Sequence, residues 1–289
     1  MPDLPFKSRT STKNLAYLLE EDLAELQKLS ETYASYYSPW KKKKKNSSKS
    51  RQIEPSRGQL KHIQKKINDR ILKKFPLPKN IIGGVKDKTV KDNARVHLKQ
   101  PVVVALDIKR CFPSIKNTMV FDMFRKEFEF SSNISSILTR LTTYKGHIPQ
   151  GAPTSTSLAN LCLLPMHRDI ESYCMRNGLN YTLWVDDITI SGEEPHKHIA
   201  SIIKIIISHK YKVSNRKIVV MPANIRQEVT GIVVNSFKPT VPMDKMKRYK
   251  RTVVISNNDE EFKNKLVGQL GYVGFINKKQ RKQLEKLID

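Results

Sequence analysis

Two short apolar runs, Tyr181–Val185 and Ile188–Ser191, follow one another with only Asp186 and Asp187 between them. Runs of this length, rich in β-branched and aromatic residues, read as strands, and strands this close read as a hairpin. A third run, Val102–Leu106, ends at Asp107. The pattern therefore puts three carboxylates at the ends of apolar strands. A turn is an ordinary place for aspartate, so Asp186 and Asp187 alone would say little. Joined with Asp107 they say more, because gathered like charges raise one another's pKa unless a cation neutralises them. Hard oxygen ligands of this kind suit Mg²⁺ holding a triphosphate. Two such ions, about 3.5–4 Å apart, would clamp the attacking and leaving oxygens of an in-line phosphoryl transfer.

The charge balance points the same way. The chain has 53 Lys+Arg against 27 Asp+Glu, a net charge of +26 over 289 residues. Such an excess implies a polyanionic partner, most often nucleic acid, with an anionic membrane surface as the alternative. No apolar stretch approaches the about 20 residues of a membrane span, and no charged-then-apolar leader opens the sequence, so a protein outside the membrane and not secreted is expected. Cys111, Cys162 and Cys174 are odd in number and widely spaced. They suggest neither a disulfide framework nor a zinc module, and a reducing cytoplasm fits them.

Leu15, Leu18, Leu19, Leu23, Leu26 and Leu29 recur near helical spacing behind Ser11 and Thr12, giving a helical hairpin or one amphipathic helix. Lys41–Lys45, Asn46, Ser47, Ser48 and Ser50 read as a basic loop, either a flexible linker or a phosphate contact. Leu60, Ile63, Ile67 and Ile71 mark one face of a helix across 56–75. Two helical pieces are expected over 117–143 and a longer helix over 155–177, kinked at Pro165. A helix at 196–210 and strands at 217–221 and 227–235 follow. Pro239 and Pro242 set off a helical tail, 238–289, with 13 basic and 6 acidic residues. The sum is an α+β chain with a mixed or antiparallel sheet and helical ends.

Three segments, VALDIKRCFPSI (104–115), IPQGAPTSTSLANL (148–161) and LWVDDITISG (183–192), resemble motifs A, B and C of reverse transcriptases in order and spacing. NARVH (93–97) and VTGIVVN (229–235) resemble the signatures that mark retron enzymes within that family. RQIEPSRGQLKHIQKKI (51–67) is similar to the first fingers motif, and LVGQLGYVGFI (266–276) to the retron thumb. The resemblance implies a right-hand polymerase fold: an N-terminal helical extension and basic linker (1–48), fingers and palm (49–236) and a basic helical thumb (237–289). It assigns Asp107, Asp186 and Asp187, with the Ile108 carbonyl, to a site for two Mg²⁺ ions. Phe112 falls at the steric gate against a 2′-hydroxyl, and Gln150 and Gly151 in the nucleotide pocket. Arg51 and Lys86 match positions that contact triphosphate or template. Lys217, in SNRKI, matches the lysine proposed to protonate the leaving pyrophosphate.

RNA contact is expected of Asn93, Ala94 and His97, of Val229, Thr230 and Gly231, and of the thumb residues Lys247, Arg248, Lys250 and Arg251. Trp184 replaces a usual Tyr, Arg110 a common Asp and Cys111 a usual Phe; none removes a metal ligand. Cys111 has no evident activating base and is not read as a nucleophile. His196 and His198 are expected to face solvent. The resemblance further implies a structured non-coding RNA as template and primer, dNTPs, an RNA–DNA hybrid product, and a separate effector protein in antiphage defence. Another prokaryotic reverse transcriptase, from the defence or diversity-generating groups, is the nearer rival. An RNA-binding scaffold with a vestigial site is the more distant one.

Overall fold

The computed structural model describes residues 11–43, 50–256 and 260–286. The chain divides into two compact units. One comprises residues 1–86, 108–169 and 205–213, the other residues 87–107, 170–204 and 214–289.

In the first unit the N-terminal leucines form two helices, Thr12–Leu19 and Leu23–Thr32. The Ser11 hydroxyl accepts from the Asn14 amide, and Asp22 accepts from the amides of Ala24 and Glu25, so each helix has a side-chain cap. Leu15, Leu19, Leu26 and Leu29 are buried. The expected basic loop is partly strand: β1 (Trp40–Lys43) pairs antiparallel with β2 (Ser50–Ile53), while 44–49 lie outside the described residues. The helix Gly58–Arg70 buries Leu60, Ile63 and Ile67. Gln64 is buried among them, its amide donating to the Tyr37 hydroxyl at 2.9 Å and the Leu141 carbonyl at 2.8 Å. Pairing of this kind is what lets a polar side chain stay inside.

Helices Asn117–Lys126 and Ser132–Thr142 match the two pieces expected over 117–143. The expected helix over 155–177 is two helices, Ser155–Cys162 and Leu164–Arg176. Pro165 sits in the first turn of the second, where its missing N–H removes no intrahelical bond, so the chain breaks instead of kinking.

The second unit is built on a four-stranded antiparallel sheet. Its strands are β3 (Val102–Asp107), β4 (Asn180–Trp184), β5 (Asp187–Gly192) and β6 (Val219–Pro222), in the order β4-β5-β3-β6. Val103, Val104 and Leu106 on β3 and Ile188 and Ile190 on β5 are fully or nearly fully buried. Each such side chain contributes about 1.5–3 kcal/mol by leaving water. A small hairpin, β7 (Glu228–Val229) and β8 (Ile232–Val233), turns through Thr230 and Gly231, both at positive φ. That backbone is the turn whose twist matches flanking strands.

The basic tail forms helices Met243–Ser256, Glu260–Ile276 and Lys278–Glu285. Met246, Val273 and Leu284 from these helices share a core with Val103, Met221, Val229 and Ile232. The tail therefore belongs to the body of the unit that carries the sheet. Among the described residues, no helix is long and apolar enough to cross a membrane.

Candidate active site

The sheet register brings the acids together. Asp107, the last residue of β3, is paired with Asp187, the first residue of β5, and Asp187 is also paired with Trp184 on β4. The β4–β5 connection is two residues long, Val185 and Asp186. Val185 has φ +59°. A β-branched residue is a poor occupant of the left-handed region, and such strain persists only where surrounding structure imposes it. Here the paired strands impose it, and Asp186 is held at the tip beside Asp187.

Asp107 is almost fully buried, at 6% exposure. Its carboxylate accepts a hydrogen bond from the Lys217 ammonium, forming an ion pair. In place of the expected strand start, Lys217 ends a one-turn helix, Asn215–Lys217, ahead of β6. That turn hangs on the end of β3, where the Ser214 amide donates to the Asp107 carbonyl at 2.8 Å and the Lys217 amide to the Ser214 carbonyl at 2.8 Å.

The Asp187 side chain opens to solvent, yet partial desolvation raises its pKa to about 6, and the Asp186 and Asp107 charges add to the rise. Lys217 opposes that rise. For Lys217 itself, burial works to lower the pKa, but the hydrogen bond and charge of Asp107, with the charges of Asp187 and Asp186, raise it overall.

This donor set fits a hard divalent cation. It is all oxygen, and two members face each other across paired strands. It is gathered but not closed: among the described residues, no three His, Cys, Asp or Glu side chains stand ready to hold a metal ion.

The signature residues expected to touch RNA are largely internal. His97 is fully buried; its Nδ1 lies 2.7 Å from the Ser191 hydroxyl and its Nε2 2.8 Å from the Thr182 hydroxyl. Burial lowers its pKa to about 3, so the ring is neutral. It ties β4 to β5 under the hairpin that carries the acids. Asn93 and Ala94 are also fully buried, and Val229 nearly so. The Asn93 amide lies 3.4 Å from the Thr230 hydroxyl, so the two signatures meet. The expectation of RNA contact is corrected for Asn93, Ala94, His97 and Val229, which offer no surface. Thr230 and Gly231 are half-buried, with Lys245 donating to the Gly231 carbonyl at 3.1 Å. Lys247, Arg248, Lys250 and Arg251 are exposed.

The remaining site residues lie in the first unit. Arg51 on β2 and Lys86 are exposed, Phe112 is half-buried in the short helix Cys111–Ser114, and Ile108 is buried and bridges to Val213. Gly151 has φ +114°, and a Cβ there would come within 3.2 Å of Ile53 Cγ2. The close approach that requires glycine is thus made by the chain itself. The Glu54 amide donates to the Gln150 carbonyl at 2.7 Å, and Glu54 Oε2 lies 3.0 Å from His147 Nε2. Composition gives no hint of this last pair.

All three cysteines are buried, and none forms a disulfide. Of the two histidines expected in solvent, His198 is held by Tyr173, its Nδ1 lying 2.9 Å from the phenol oxygen.

Asp107 and Asp187 thus meet at the end of the antiparallel sheet with Lys217 against Asp107, and Asp186 stands at the hairpin tip beside them. The model of the family described as reverse transcriptase (RNA-dependent DNA polymerase) matches residues 41–261, and the chain belongs to that family. Its enzymatic class is RNA-directed DNA polymerase, on the α+β fold of these polymerases.

The chain is 28% identical over 236 residues to the Retron Ec86 reverse transcriptase of Escherichia coli, covering 80% of this chain and 73% of that protein. It is also 28% identical over 253 residues to the Retron Se72 reverse transcriptase of Salmonella heidelberg, covering 84% of this chain and 66% of that one. Among solved structures, a telomerase from Candida albicans in complex with a fragment of telomeric RNA aligns with TM-score 0.51 at 10% identity. The alignment covers 90% of this chain and 59% of the telomerase, a likeness of fold alone.

Proposed function

We propose that this chain is a retron reverse transcriptase, which copies a dedicated structured RNA into single-stranded DNA that stays linked to that RNA. The observation that carries the reading is the contact between Asn93 of NARVH and Thr230 of VTGIVVN, in the same unit as the three carboxylates. That contact joins the two segments that resemble retron enzymes in particular, and His97 of the first bonds Ser191 of a segment that resembles polymerases in general. Similarity to several retron reverse transcriptases supports it.

Asp107, Asp186 and Asp187, with the Ile108 carbonyl, would hold two Mg²⁺ ions. When bound, the ions would activate the attacking hydroxyl and stabilise charge on the leaving pyrophosphate. Lys217 would give the pyrophosphate its proton, Phe112 would exclude the 2′-hydroxyl of ribonucleotides, and Gln150, Gly151, Arg51 and Lys86 would receive nucleotide and template. Residues 49–236 would serve as fingers and palm and 237–289 as thumb, whose exposed lysines and arginines hold backbone phosphates. The folded RNA supplies both template and primer. A 2′-hydroxyl is no stronger a nucleophile than a 3′-hydroxyl, so its use as primer rests on positioning. The product, with a separate effector protein, would act in antiphage defence in the cytoplasm.

The test is extraction of DNA from cells expressing the chain with its neighbouring RNA gene. A ribonuclease-resistant nucleotide at the DNA 5′ end, and a mobility shift on debranching, are expected. A free 5′ end or a protein-linked DNA would move the chain to another group of prokaryotic reverse transcriptases. Absence of DNA synthesis would leave an RNA-binding scaffold.

A further inference from the structure

Asp107 is paired with a cation of the protein's own. Lys217 Nζ donates to Asp107 Oδ2, and Asp107 faces Asp187 across the β3–β5 register. A divalent ion on that oxygen would meet the ammonium at contact distance, and two cations cannot share it without strong repulsion. Lys217 is also free to leave. Its side chain is 58% exposed against 8% for Asp107, and it stands on a single helical turn. An ammonium on a flexible four-carbon stem readily changes partner. The partner that could draw it away is a triphosphate, which carries several negative charges and brings its own metal.

We propose that Lys217 is an internal competitor for the divalent cation, keeping the nucleotide-free site closed to free metal and yielding it to the metal–triphosphate complex. The proposal rests on the metal assignment of Asp107, Asp186 and Asp187 made above. It gives Lys217 two successive partners, Asp107 before the nucleotide arrives and the phosphates afterwards. By linkage, whatever removes the ammonium must tighten metal binding by the factor with which metal weakens the ion pair.

The test uses the full chain without nucleotide and Mn²⁺ as probe, free Mn²⁺ being read from its electron paramagnetic resonance signal. Lys217→Met should bind Mn²⁺ about tenfold tighter than wild type, within the roughly 5–150-fold span of ordinary coupling. Lys217→Arg, which keeps the charge, should stay near wild type, and Lys217→Gln serves should the methionine variant fail to fold. Asp107→Asn introduced into Lys217→Met should abolish the gain. Equal Mn²⁺ affinity in wild type and Lys217→Met, or a gain that survives Asp107→Asn, would overturn the proposal while leaving the metal assignment standing. No Mn²⁺ binding by either protein at millimolar concentration, with no Mg²⁺-dependent DNA synthesis by wild type, would overturn both.

Discussion

The second unit holds two polar clusters that differ in how completely they are satisfied. Under the sheet, His97 has a hydroxyl on each ring nitrogen, Ser191 at 2.7 Å and Thr182 at 2.8 Å, and no charge. At the end of the same strands, Lys217 pairs with Asp107, and burial with the neighbouring acids lets Asp187 keep a proton up to a pH of about 6. The first cluster is closed and needs nothing more. The second gathers like charges at a site that opens to solvent, and gathered charge is what a cation and a triphosphate can exploit. Both involve residues of conspicuous motifs, so a motif alone does not distinguish a strut from a reacting group. Satisfaction of the polar atoms does.

Breaking the open cluster should have the largest effect. Asp186→Asn or Asp187→Asn should lower Mg²⁺-dependent DNA synthesis by more than about 100-fold, since even partners of metal ligands are worth roughly 10–100-fold. RNA affinity should hardly change, because it arises from the distributed Lys/Arg surface. Primer extension and filter binding on the same preparations separate the two. Substantial synthesis in either variant would mean the acids are not the metal ligands.

Breaking the closed cluster should act through the fold instead. His97→Ala strands the Ser191 and Thr182 hydroxyls in the interior and opens a cavity. A loss of about 2–4 kcal/mol is expected from a large buried side chain and its partners. Urea denaturation measures it, and RNA affinity per folded molecule should be retained. A variant of full stability with weakened RNA binding would make His97 a contact after all.

The clusters should also differ in their response to pH. The Asp187 carboxyl binds its proton more tightly folded than unfolded, its pKa rising from 3.8 to about 6. Stability from this group is therefore greatest in acid and declines as pH rises from 3.8 to about 6. His97 has the opposite offset, about 3 folded against 6.5 unfolded. Its contribution is present above pH 6.5 and declines as pH falls toward 3. In EDTA, the Tm of Asp187→Asn relative to wild type should climb between acid and neutral pH. A flat difference would show that neither burial nor the neighbouring acids raise the Asp187 pKa.

The strands that carry the acids are legible because their apolar runs are short, β-branched and punctuated by aspartate. Pro165 marks a disturbance in the helical pattern, which reads as a kink and not as the end of one helix and the start of another. The β1–β2 hairpin is hidden because Trp40–Lys43 is mostly lysine, which reads as loop when no apolar alternation marks a face. The Lys217–Asp107 pair joins the end of a strand to a one-turn helix 110 residues later, and nothing local in SNRKI announces it. His97 misleads for a different reason. A polar residue between Arg95 and Lys99 looks exposed, and only the fold supplies Thr182 and Ser191 to receive it. A resemblance names positions that matter without saying whether they face RNA or the core.

The smallest effect should come from the surface that neither cluster uses. Lys247, Arg248, Lys250 and Arg251 are exposed on the helix Met243–Ser256, whose other side buries Met246 and Val253. Replacing all four with glutamine removes charge and leaves that packing in place, so stability should change little. Each phosphate that the variant no longer neutralises should flatten the plot of log affinity against log salt by roughly 0.7–0.9. Four phosphates held independently would flatten it by about 3, and fewer if the side chains share them. At low salt the weakening should apply equally to cognate and unrelated RNA, because phosphates carry no sequence. A slope that stays where it was would make this helix face a solvated surface. The affinity would then have to come from other Lys/Arg residues, such as Arg51 and Lys86.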